Sequence, residues 1–207
     1  MKIIIFGSTG TIGRQLVQQA LDHGHAVTAF ARKPERLEAT HANLTRAAGD
    51  VLDGGRVAEA IEGHHAILCA LGAGRKGKVR SAGTANVVAA MERNGVRRLV
   101  CLSTLGVGDS HQNLNFFWRR VMFGWFLKDA FADHVEQEAA VAQSSLDWTI
   151  VRPGAFTGGP ATGLYKHGFA ATETGLDLKI SRADAAGFML CQLGDDAYLH
   201  QSPGLSY

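Results

Sequence analysis

Three glycines, Gly7, Gly10 and Gly13, stand three residues apart directly behind the apolar run Lys2 to Phe6. Residues of that type and spacing suit a diphosphate. One residue without Cβ lets the backbone leave a strand abruptly, a second lets it approach an anion closely, and a third lets the next helix pack tightly. The helix expected over Thr11 to Leu21 would turn its free N-terminal amides and the positive end of its dipole toward the anion. The competing reading is a glycine-rich turn that binds nothing. A second group is basic: Arg32 and Lys33, with Arg36 further along, follow the second apolar run. A dinucleotide site for an unphosphorylated ribose carries Asp or Glu there, whereas cations attract a 2′-phosphate, and Arg grips it through a planar fork. The pattern predicts NADP(H) rather than NAD(H). Its alternative is a solvated basic turn.

The elements that must position these groups follow from apolar periodicity. The 207 residues, 46% hydrophobic and 19% charged, suit a single ordinary globular domain over 1–207. A net charge of +2 makes no case for nucleic acid. Strands are expected at Lys2 to Phe6, His25 to Ala31, Leu44 to Ala47, Ala66 to Leu71, Arg98 to Ser103 and Trp148 to Val151. Helices are expected at Thr11 to Leu21, around Glu35 to Glu38, around Val57 to Ile61, at Thr84 to Arg93 and at Arg182 to Leu193, with Gly24 a left-handed cap on the first. Such alternation predicts an α/β fold: a doubly wound parallel sheet of the Rossmann type in three αβα layers. The Gly-, Pro- and Thr-rich stretch from Pro153 reads as loops, over 153–180, that cover a substrate outside the strand ends.

Cys69, Cys101 and Cys191 are far apart and odd in number, which predicts buried free thiols and suits a reducing cytoplasm. His64, His65, His23 and His25 lack further ligands, so no metal is expected. No targeting segment is expected before the first strand. Phe116 to Leu127 is too short to span a bilayer and is interrupted by Arg119 and Arg120, so a buried or self-associating helix is expected, with membrane-surface contact the alternative. Core packing is the first reading of its aromatic residues. Stacking on a planar substrate and a subunit contact are the others.

The run GSTGTIG, the basic ARK turn, Gly49-Asp50-Val51, LGAG from Leu71, the CLST strand end and DWTIVRPG together resemble the atypical short-chain dehydrogenase/reductases of the NAD(P)H-binding, NmrA-like type. The likeness spans nearly the whole chain and is greatest to the biliverdin-IXβ reductase/flavin reductase type, with TGLY at Thr162 to Tyr165 and ISRAD at Ile180 to Asp184 adding to it. It implies that Gly7, Ser8, Thr9, Gly10, Thr11, Ile12 and Gly13 bind the diphosphate and that Asp50 with Val51 flanks the adenine. It further implies that Leu71, Gly72 and Ala73 approach the ribose and nicotinamide, with Pro153 and Gly154 beside the nicotinamide end. Asp50 and Asp53 have a second reading as caps of the following helix.

The chemistry is less complete. The larger superfamily pairs a serine with Tyr-x-x-x-Lys, and no such motif follows Ser103. Ser103 and Thr104 stand where the fifth strand ends, which puts their hydroxyls beside the nicotinamide, yet an unassisted serine is a poor proton donor. Ser103 alternatively serves the local backbone. Ala155 stands where the biliverdin/flavin reductase relatives carry a histidine after the proline, while His134 in ADHVEQE matches another of their histidines and otherwise reads as a surface-helix residue. The expected function is an NADPH-dependent oxidoreductase acting on a small planar acceptor, as a monomer or homodimer. An NADP(H)-binding sensor or assembly factor and a sugar-nucleotide epimerase or dehydratase are the alternatives.

Overall fold

In the computed structural model, which describes residues 1–72, 74 and 78–207, β1 (Lys2–Phe6) buries Ile3, Ile4, Ile5 and Phe6 completely. Side chains alternate between the faces of a strand, so Ile3 and Ile5 join one apolar layer and Ile4 and Phe6 the other. A strand covered on both faces has no reason to alternate apolar with polar.

The chain continues through α1 (Thr11–Asp22), β2 (Ala26–Ala31), β3 (Leu44–Ala48), α2 (Gly54–Ile61), β4 (Ala66–Cys69), α3 (Val79–Asn94) and β5 (Arg98–Leu102). Then come α4 (Lys128–Ala142), β6 (Asp147–Pro153), β7 (Ala155–Thr157), β8 (Lys166–His167), β9 (Lys179–Ser181), α5 (Arg182–Cys191) and β10 (Gly204–Ser206). The main sheet has the order β3-β2-β1-β4-β5-β6-β10-β8 and is parallel except for β8, which runs antiparallel to β10. α1 and α5 pack together over the Ile3 and Ile5 face, and α2, α3 and α4 cover the opposite one. The winding reverses between β1 and β4, so the turns leaving these strands diverge and open a crevice at their carboxyl ends.

Several expectations change. The helix around Glu35 to Glu38 is a 3₁₀ turn over Pro34–Arg36. α3 begins at Val79 rather than Thr84; it has no cap of its own, and Asp133 of α4 supplies one by accepting from the Arg80 and Ser81 amides at 3.2 and 2.9 Å. The 153–180 stretch is more than loops: β7 and β9 pair as a separate two-stranded ribbon, and β8 with β10 extends the main sheet. Cys69 and Cys101 are buried, but Cys191 is exposed at the end of α5. The aromatic stretch is also not core. Phe117–Phe126 forms a π-helix in which none of the residues is fully buried; Trp118 and Phe123 pack inward against Leu105, Leu114 and Leu178, while no described element covers the opposite side.

Candidate functional site

A cavity of about 790 Å³ runs along the carboxyl ends of the strands. At one end it is lined by Gly7, Thr9, Gly10, Thr11 and Ile12. Gly7 has φ +78°, and a Cβ there would lie 2.3 Å from the Ala70 carbonyl oxygen, so the turn requires glycine twice over. A Cβ on Gly13 would meet the Gly7 carbonyl oxygen at 2.1 Å. The third glycine thus lets α1 close on the turn itself rather than on the sheet. Gly10 is the N-cap residue of α1, and no side chain satisfies the helix amides there. Those amides remain for an anion.

Ser8 and Gly13 do not line the cavity; the Ser8 hydroxyl donates to the Phe30 carbonyl at 3.0 Å and ties the turn to the end of β2. Arg32 lines the rim, exposed and without a bonding partner among the described residues. Lys33 and Arg36 are exposed but stand off the cavity wall. Asp50 and Val51 line the same end; Asp50 accepts from the Leu52 amide at 3.0 Å, and the cap of α2 is Asp53, which accepts from the Gly55 and Arg56 amides at 3.0 and 3.1 Å. Leu71 and Gly72 line the middle, and Ala73 lies outside the described residues. A glycine cradle that any Cβ would fill, uncapped amides and an unpaired guanidinium fit a dinucleotide carrying an extra phosphate.

The other end is built by β5, β6, α4 and the π-helix. Ser103, Thr104, Pro153, Gly154 and Phe156 form the floor, with Trp118, Phe123 and Leu127 as an apolar wall. Ser103 serves neither solvent nor local backbone with its side chain: its hydroxyl donates to Glu138 Oε1 at 2.5 Å. Arg152 holds Glu138 through Nε to Oε1 at 3.0 Å and Nη2 to Oε2 at 2.7 Å, and its Nη1 reaches Asp109 at 2.6 Å. With its proton committed, the Ser103 oxygen offers the cavity acceptor capacity. The half-buried Thr104 hydroxyl makes one long contact, 3.4 Å to the Leu105 carbonyl, and retains its donor capacity.

His134 is half-buried and lines the cavity, not the outer surface. Gln137 donates from Nε2 to Thr84 Oγ1 at 3.0 Å and to Cys101 Sγ at 3.3 Å, which turns its Oε1 toward His134 Nδ1 at 3.2 Å. Nδ1 therefore carries the proton and Nε2 the lone pair. Burial, aided by the Arg80 charge, outweighs the hydrogen bond and pushes the imidazole from 6.5 down to about 4. It is neutral near pH 7. His64 is a satisfied core residue, set between Thr28 Oγ1 at 2.8 Å and the Ile61 carbonyl at 3.1 Å.

Sequence reasoning missed Glu138, Arg152 and Asp109. Two signals were present: an arginine inside the apolar run WTIVRP demands a carboxylate partner, and Glu138 lies four residues after His134 on one helical face.

A family profile described as NAD(P)H-binding matches residues 7–196. An uncharacterised chloroplastic protein of Arabidopsis thaliana is 32% identical over 78% of this chain and 61% of its own length. The uncharacterised sugar epimerase YhfK of Bacillus subtilis is 27% identical over 94% of this chain and 89% of its own. Among solved structures, the oxidoreductase ylbE from Lactococcus lactis superposes with TM-score 0.84 at 26% identity, covering 99% of this chain and 90% of that one. ChuY, an anaerobilin reductase from Escherichia coli O157:H7, shares the fold with TM-score 0.80 at 23% identity over 99% and 96% of the two chains.

Proposed function

Because the chain belongs to the NAD(P)H-binding family, we propose that it is a reductase of the atypical short-chain dehydrogenase/reductase type that uses NADPH to reduce a small planar acceptor. In this reading the Gly7 to Gly13 turn and the α1 amides hold the diphosphate, and Arg32 takes the 2′-phosphate with Lys33 and Arg36 adding to the local positive field. Asp50 and Val51 flank the adenine, and Leu71, Gly72, Pro153 and Gly154 follow the rest of the cofactor. When bound, the cofactor supplies a hydride.

The chain's own residues select and orient the acceptor. Trp118, Phe123 and Leu127 exclude water and offer aromatic faces to a planar ring. Thr104 donates to an acceptor oxygen, while the Ser103 oxygen and His134 Nε2 accept from ring N–H or O–H groups, Ser103 being held in place by Glu138 and Arg152. None of the three is an acid near neutral pH. That favours acceptors whose reduced anions persist until water protonates them, such as flavins and quinones, over isolated ketones. The anaerobilin reductase of similar fold makes an open-chain tetrapyrrole a further member of the test panel.

The observation that carries this reading is the continuity of one cavity, from the glycine turn and Arg32 to the aromatic wall beside Ser103. The experiment is NADPH consumption by purified protein with FMN, naphthoquinones and a linear tetrapyrrole. Turnover with at least one of them is expected. Inertness across the panel, with NADPH binding retained, would overturn the reductase reading and leave a cofactor-dependent binding protein.

A further inference from the structure

On the outer side of the cavity wall, the π-helical segment and the residue before it expose large apolar groups that no other described element covers. Phe116 is 76% exposed, Phe117 54%, Val121 38% and Trp125 80%. Burying such residues is worth so much that a free protein rarely leaves a contiguous patch of them in water. The charge of the segment is one-sided. Arg119, Arg120 and Lys128 are exposed, and no acidic residue occurs from Phe116 through Lys128.

That pairing discriminates between occupants. A second copy meeting this face about a twofold axis would set three cations against their own copies, next to the apolar contact meant to hold the pair. An anionic lipid surface meets both features at once: aromatic rings enter the headgroup boundary while arginine and lysine stay at the phosphates. Among the described residues no helix is long and apolar enough to cross a membrane, so the contact is with one leaflet. We propose that Phe116 to Lys128 docks the protein reversibly on anionic lipid bilayers, placing the Trp118 and Phe123 wall of the cavity against the membrane. This inference stands on the patch alone and not on the reductase reading.

The test is flotation of the full chain with vesicles of phosphatidylcholine alone and with about one-third phosphatidylglycerol. The expected result is binding to the anionic vesicles at least about tenfold stronger than to the neutral ones, weakened by salt. Phe117→Ser with Trp125→Ser should lower it by about tenfold or more, as should Arg119→Gln with Arg120→Gln, with NADPH affinity and circular dichroism unchanged as evidence of folding. Failure of the wild type to float with anionic vesicles would overturn the proposal, and so would undiminished binding by the folded variants. A wild-type dimer that does not float and that the Phe117→Ser, Trp125→Ser variant dissociates would equally overturn it, assigning the face to a second copy. Because acceptor reduction and flotation are measured separately, either reading can fail without the other.

Discussion

Arg32 and Ser103 stand at opposite ends of one cavity and differ in how their surroundings are made. Arg32 is placed by its own neighbours in sequence: the last residue of β2 is Ala31, so the next side chain projects at the strand's carboxyl end whatever the rest of the fold does. Its guanidinium has no partner among the described residues and is free for a phosphate. Replacing it by glutamate should therefore weaken NADPH binding by about tenfold or more while changing NADH affinity by less than about twofold, measured by titration calorimetry. Equal losses would remove the 2′-phosphate assignment. Ser103 was legible as a strand-end hydroxyl, but its partner Glu138 is 35 residues away and Glu138's partner Arg152 another 14. Nothing local to Ser103 announces that its proton is already committed. His134 was legible as a histidine matching one of the relatives' or lying on a surface helix, and only the burial of α4 beside Arg80 of α3 reveals an imidazole kept neutral.

Among the elements, the β1 turn and α1 were legible almost to the residue, because strand, glycine triplet and helix are contiguous. The two later glycines nonetheless do different things, and substitution separates them. A Cβ on Gly13 meets backbone at 2.1 Å and a Cβ on Gly10 meets it at 3.2 Å. Gly13→Ala should cost about 1–3 kcal/mol of stability in urea denaturation, whereas Gly10→Ala should fold nearly as well and lose NADPH affinity instead. If both variants behave alike, the division of labour is wrong. α4 entered the sequence reading only as the surface helix of one alternative for His134, not as an organiser: Asp133 caps α3, His134 lines the cavity and Glu138 fixes Ser103. The aromatic stretch misled in the opposite way. Its hydrophobicity matched a buried helix, and only the arrangement of neighbours shows that the described elements leave one side exposed.

At the scale of the whole molecule, the segment between β7 and β8 is held through Asp184. This buried carboxylate accepts from the Tyr207 hydroxyl at 2.6 Å, the Thr162 and Gly163 amides at 2.8 Å each and the Ser181 hydroxyl at 2.8 Å, joining α5, the Thr162 loop and the C-terminal residue. In the sequence it stood out only as the last residue of ISRAD. Burial raises its pKa, but the hydrogen bonds from Tyr207, Gly163, Ser181 and Thr162 outweigh that and hold it at about 2. Since the folded value lies below the unfolded one, the ionised form stabilises the fold above about pH 4, and this contribution of about 2 kcal/mol is lost as pH falls through about 2. Urea midpoints should fall over that window in the wild type. The Asp184→Asn variant should be less stable at pH 7 and show a shallower acid decline.

The sequence by itself determined the six strands β1 to β6, the turn at Gly7 to Gly13 and the basic rim at Arg32. Each of these depends on side-chain periodicity or backbone freedom within a few consecutive residues, and a dinucleotide's phosphates are met by such local features. The tertiary structure alone decided the acceptor end. Ser103, Glu138, Arg152, His134 and the Trp118 wall come from β5, β6, α4 and the π-helix, and their protonation and hydrogen bonding are set by burial among residues distant in the chain.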